Sequence, residues 1–151
     1  MKRVRMKFAI LTFLCALALI VPHSAYAFPG ADTRETAVVI SAPFNFTTYL
    51  TNYADEDWYR WTNNTGTVKI VHLSVASIYY GSNFNLYSEI IYPDGSVNVI
   101  GYAYDDRDSG YDYYNIMVYP GQTLLFKVDR GYEGATGVDY PYLVQLWFIG
   151  E

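Results

Sequence analysis

The sequence runs to 151 residues, with fifteen Asp and Glu against ten Lys and Arg and a net charge of −5. Its single cysteine rules out an internal disulfide. No basic patch is present to displace counterions from a phosphate backbone, so nucleic-acid binding is excluded.

In chain order, Lys2, Arg3, Arg5 and Lys7 precede an apolar run at residues 8–21, then Pro22 and a small-residue site, Ala25-Tyr26-Ala27. This is the layout of a secretory signal peptide at residues 1–27, cut after Ala27. The apolar run falls short of the roughly 20 residues that a membrane span needs. Cys15 follows Leu14 rather than a small residue, unlike a lipid-modified cysteine. The sequence therefore predicts one exported domain at residues 28–151, with no membrane attachment after cleavage. Losing the four leader cations takes the net charge from −5 to −9. Without disulfides the hydrophobic core must hold this domain, and a chain of its size can bury about two thirds of the surface its unfolded form exposes.

Beyond the leader, no segment keeps an apolar rhythm of three and four residues. Short alternating runs rich in Tyr, Val, Ile, Thr and Phe recur instead, separated by Gly, Asn, Asp and Pro. Strands are predicted at 36–40, 44–50, 57–62, 67–76, 84–92, 96–104, 113–119, 123–128 and 142–149. Between several of them, NNTG at 63–66, PDGS at 93–96 and PGQ at 120–122 supply residues that accept turn dihedrals. Eight or nine short strands at this spacing predict an all-β antiparallel sandwich with jelly-roll-like connections. In DWYRWT, period-two alternation puts Tyr59 and Trp61 on the core side and Arg60 outside. In TLLFKV it sends Leu124, Phe126 and Val128 inward and Leu125 outward with Lys127.

Two acidic clusters stand out. Asp55, Glu56 and Asp57 run directly into aromatics. They read either as solvated strand-opening carboxylates that cap turn amides or as oxygen donors for a divalent ion. A catalytic pair would need two carboxyls flanking a cleft, which adjacent residues do not provide. The second cluster, Asp105, Asp106, Asp108 and Asp112, has Gly110 at the sixth position counted from Asp105. Arg107 and Ile116 occupy the third and twelfth, where an EF-hand needs oxygen donors. It reads as a solvated hairpin loop, with a lone ion on Asp105, Asp106 and Asp108 as the alternative. His72 sits inside a strand among apolar neighbours and reads as a satisfied imidazole rather than a base. No G-x-S-x-G, H-E-x-x-H or cysteine nucleophile follows the leader, so the chain is read as a non-enzyme.

Sixteen of the 17 tyrosines follow residue 27. Rigid rings with a hydrogen-bonding tip suit recognition, and they equally suit cross-strand pairs in a sandwich. Tyr102, Tyr104 and Tyr113, rimmed by the aspartates of 105–112, are the expected ligand-binding surface.

An ordered set of features resembles the bacterial pre-peptidase C-terminal domain, a family related to the collagen-binding modules of secreted collagenases. These are ADTRETAVVI at 31–40, DEDWYRWT at 55–62, FNLYSEIIYPDGS at 84–96, VYPGQTLLFKV at 118–128 and DYPYLVQLWF at 139–148. The resemblance implies a non-catalytic β-sandwich that serves substrate binding, solubility or targeting. It also implies a calcium site at Asp32 and Asp57, with Asp55 beside them. The glutamates of the family's calcium-binding members are replaced here by AFPG at 27–30, and Ala31 stands where Asn is common. The stretch TLLFKVDR lacks the tyrosines of the collagen-binding members, so collagen specificity does not carry over.

The expectation is a small secreted binding module, calcium its cofactor, attached through tyrosines to an extracellular polymer or to a protein partner. Two alternatives stand beside it. One is a carbohydrate-binding sandwich using the same surface. The other is a structural or accessory subunit of an exported protease or matrix.

Overall fold

A computed structural model describes residues 31–52, 54–79, 82–106, 110–130 and 141–150, with the side chains of 104–106 excepted. The predicted leader at 1–27 lies outside the described residues. So do Tyr53, Tyr80, Arg107, Asp108 and Tyr140. The strands are β1 (Val38–Val39), β2 (Phe44–Tyr49), β3 (Asp57–Thr62), β4 (Lys69–Ser77) and β5 (Phe84–Ile91), then β6 (Val97–Tyr102), β7 (Tyr104–Asp106), β8 (Tyr111–Val118), β9 (Thr123–Arg130) and β10 (Pro141–Phe148).

They form two five-stranded sheets. The first has the order β1-β3-β9-β5-β6 and the second β2-β10-β4-β8-β7. Pairing is antiparallel throughout except for the two-residue parallel contact of β1 with β3. Setting aside the short β1 and β7, the orders 3-9-5-6 and 2-10-4-8 are the two sheets of a jelly roll, as the strand spacing predicted.

Alternation builds the core between the sheets. Tyr59 and Trp61 of β3, Leu124, Phe126 and Val128 of β9, and Phe84, Leu86 and Ile90 of β5 face Val71, Leu73 and Val75 of β4 and Tyr142, Val144 and Leu146 of β10. Tyr59 stacks on Phe126 at 5.2 Å between ring centroids, and Phe84 packs on Tyr142 at 5.1 Å. The inward set read from β3 and β9 is therefore correct. Leu125 does point outward, yet it is fully buried. It forms a small second cluster with Trp58 and Ala37, because the 31–37 segment folds over that face.

The segment predicted as one strand at 96–104 is two strands in different sheets. Gly101 has φ +100°, and the register of β5 against β6 shifts between Ser88 and Glu89. Ala103 leaves the strand, its N–H bonding to the carbonyl of Leu86. The chain then crosses to pair Tyr104 with Tyr113 in the second sheet.

Candidate metal centre and the two outer faces

Asp57 opens β3 on the same side as Tyr59 and Trp61, so the alternation that fills the core also buries this carboxylate. The N-terminal segment is pinned beside it, the carbonyl of Ala31 accepting a hydrogen bond from the Trp58 N–H at 2.8 Å. That contact carries Asp32 to the mouth of β3. Asp55 is held from the other side, its Oδ2 accepting from the Thr51 N–H at 2.5 Å and from Thr51 Oγ1 at 2.7 Å. The result brings one carboxylate oxygen from each of Asp32, Asp55 and Asp57 within 4.8 Å of one another. These are the three residues singled out as calcium ligands. Asp32 is exposed, Asp55 half-buried and Asp57 buried.

Beneath the triad lies a buried hydroxyl chain that the sequence did not reveal. Tyr142 donates to Asp57 Oδ2, and the hydroxyls of Tyr142 and Tyr59 lie 2.8 Å apart. Burial pushes the Asp57 carboxyl up to about 7; the Tyr142 hydrogen bond opposes this, and the charges of Asp55 and Asp32 reinforce it. Burial likewise raises both tyrosines, so they remain neutral donors. Among the described residues, no Lys or Arg pairs with any of the three aspartates. The donors are all oxygen, and the described hydrogen bonds to the Asp55 and Asp57 side chains fall on Oδ2 of each. Such a set fits a hard divalent cation, which takes six to eight oxygen ligands when it is calcium.

Glu56, the middle acid of the run, turns away. It accepts from Trp58 Nε1 at 3.0 Å and pairs with Lys127 Nζ at 2.5 Å. Lys127 also meets Asp129 at 2.9 Å and lies 5.7–5.9 Å from the ring centroids of Trp58, Tyr87 and Tyr102. Burial works against the Lys127 charge, but its hydrogen bonds to Glu56 and Asp129 outweigh it and hold the ammonium protonated. The outer face of the first sheet is thus a closed network of charge and aromatic rings. Tyr102 belongs to it, packing on Tyr87 at 5.2 Å and donating to Asp129 at 3.2 Å.

This divides the expected tyrosine surface. Tyr102 stands on the outer face of the first sheet, while Tyr104 and Tyr113 pair across β7 and β8 in the second. The crossing at Ala103 separates them, so the three do not share one sheet face. Tyr113 instead stacks on His72 at 5.6 Å, and His72 stacks on Trp147 at 4.2 Å. The His72 ring nitrogens meet Asn115 Oδ1 at 2.8 Å and the Tyr111 hydroxyl at 3.0 Å, a satisfied imidazole as predicted. For the second acidic cluster, the side chains of Asp105 and Asp106 and all of Asp108 lie outside the described residues. Asp112 points inward and is buried, accepting from the Leu86 N–H at 3.2 Å. Among the described residues, no helix is long and apolar enough to cross a membrane.

No family model matches the chain, and no curated protein matches it in sequence. Among solved structures it is similar to the pre-peptidase C-terminal domain of a collagenase from Bacillus anthracis. That match has a TM-score of 0.53 at 19% identity, covering 73% of this chain and 93% of that one. It is also similar to the mitogen of Yersinia pseudotuberculosis, with a TM-score of 0.50 at 11% identity over 74% and 90% of the two chains. A periplasmic inhibitor of g-type lysozyme from Salmonella Typhimurium aligns with a TM-score of 0.39 at 13% identity, over 74% and 97%. At these identities the likeness is one of fold, and the fold of the chain is a β-sandwich like that of the pre-peptidase C-terminal domain.

Proposed function

We propose that this protein is a small exported, non-catalytic binding or accessory module whose N-terminal segment is fastened to β3 by a divalent cation, calcium by preference. The observation that carries the reading is the convergence of Asp32, Asp55 and Asp57 within 4.8 Å, with no cationic side chain among the described residues to neutralise them. Three carboxylates this close repel one another, and burial of Asp57 sharpens the cost. A cation would relieve both. It would also tie Asp32, which lies far back in sequence, to the loop before β3. By fold likeness to a collagenase's pre-peptidase C-terminal domain, the module would attach to an extracellular polymer or protein. A protein partner is favoured over a polysaccharide. The rings of Tyr113 and Trp147 stack on His72, so the stack takes up ring faces on which a sugar would pack.

The test is calorimetric titration of the protein with calcium chloride and with magnesium chloride, alongside Asp57→Asn. Calcium binding that is lost in the variant supports the reading. A wild-type protein that takes up neither ion, with a melting temperature indifferent to chelator, sinks it.

A further inference from the structure

The outer faces of the two sheets differ in kind. On the first sheet, Arg60, Glu89, Lys127 and Asp129 stand outward, with Arg34 paired to Glu89 at 2.7 Å over them. On four strands of the second sheet the outward positions are the odd-numbered residues of β2, β8 and β10 and the even-numbered residues of β4 from Ile70 to Ala76. None of these is Asp, Glu, Lys or Arg; the edge strand β7 brings one acid to an outward register position, Asp106 opposite Tyr111. This holds in a domain that carries nine more acidic than basic residues after residue 27. The same face exposes large apolar side chains, among them Met117 (58%), Tyr113 (45%), Ile70 (44%) and Trp147 (37%). Ile70 pairs with Met117 across β4 and β8, and His72 pairs with Trp147 across β4 and β10, so the exposed groups are contiguous. Enrichment in aromatic residues and methionine with depletion of Lys, Glu and Asp is the composition of a protein interface core.

We propose that this face is an isologous interface, by which two copies of the chain pack sheet against sheet. Charge decides the occupant. The four uncharged strands offer no electrostatic means of selecting a foreign partner, and a basic partner would be drawn to the acidic remainder of the surface. Its own copy meets the four strands with no like-charge contact, Asp106 standing on the edge strand beside them. Size agrees. Four strands of about eight residues span roughly 19 Å by 26 Å. That is a flat footprint of about 500 Å², and side-chain relief raises it toward the ~800 Å² per partner of a stable interface. Sheets packed face to face at about 10 Å are also how each copy is built inside. The inference does not depend on the cation.

Sedimentation equilibrium of the purified protein, up to about 300 µM, tests it by reading the dissociation constant directly. Met117→Glu and Asn115→Arg should each weaken the dimer by about tenfold or more, as expected for charge placed in an interface core. Val99→Glu, equally exposed on β6 of the other sheet, should leave it unchanged. Circular dichroism of each variant establishes that it folds, and having two variants on the face guards against the loss of one. A monomer at every concentration overturns the proposal. So does a dimer indifferent to both face variants, or one weakened equally by Val99→Glu. Binding of a monomer to phosphatidylcholine vesicles or to a neutral glucan through Met117 would also overturn it, assigning the face to another occupant.

Discussion

Asp57 is the residue on which the most depends. Its carboxyl sits at about 7 when no cation is bound, against an ordinary value near 3.8. The folded state therefore holds a proton that the unfolded state has already released across that window. Stability from this group is fully present below about pH 4 and is lost as pH rises through about 7, by at most on the order of 4 kcal/mol. In chelator, the melting temperature should fall between about pH 5 and about pH 8, and calcium should restore it at the upper end. Asp57→Asn should flatten both responses. A chelated wild type that gains stability over the same interval contradicts the burial of this carboxyl. Tyr142→Phe removes the donor to Asp57 and should cost about 1–3 kcal/mol in urea unfolding, because a buried acceptor is left unsatisfied. Much of this was readable beforehand. The parity that sends Tyr59 and Trp61 inward sends Asp57 with them, and the acidic run and the family resemblance point to Asp32 and Asp55. Tyr142 was not, since nothing in an alternating strand tells which distant carboxylate a buried hydroxyl will meet.

Among the elements, β3 was legible to the residue because a loop of acids ends where alternating aromatics begin. The 96–104 segment was not. Residues of high β-propensity flank Gly101 on both sides and mask the break, and only the backbone shows φ +100° and the passage to the other sheet. That left-handed value makes Gly101→Ala a test of the bend. No neighbour lies within 4 Å of an added Cβ, so the cost is backbone strain alone, about 1–2 kcal/mol in urea unfolding. A neutral result would mean that the bend does not need glycine. On β9, Lys127 holds Glu56, Asp129 and three rings together while its side chain is largely buried. Lys127→Met should destabilise by about 2 kcal/mol, since it strands two carboxylates. Tyr102→Phe, which loses the hydroxyl's contacts with Asp129 and Lys127 but leaves the ion pairs in place, should cost less than about 1 kcal/mol in the same assay. Equal losses would show that the network is not centred on the lysine.

For the whole molecule, the sandwich and its jelly-roll order followed from strand spacing, whereas the distribution of charge between its faces did not. A strand read alone shows which residues alternate, not which sheet it joins, so the neutral face appears only once β2, β4, β8 and β10 are side by side. A dimer built on that face brings two strongly acidic bodies together around an uncharged seam. Added sodium chloride screens their mutual repulsion over about 10 Å at 0.1 M, so the dimer should tighten as salt rises. Association resting on ion pairs would weaken instead, and sedimentation at low and moderate salt separates the two.

The strand order of the second sheet also bears on how the molecule comes to exist. β10 lies between β2 and β4, although it is made after both, and it supplies the hydroxyl beneath Asp57. A ribosome that has delivered β1 to β9 has therefore produced a sheet with a vacant interior slot. None of the neighbouring strands can close that slot without surrendering its own register. Folding must wait for the arrival of β10, and contacts this distant in sequence make it slow. Chains cut short by even that one strand would present two open edges and an uncovered core, conspicuous to proteases and to one another.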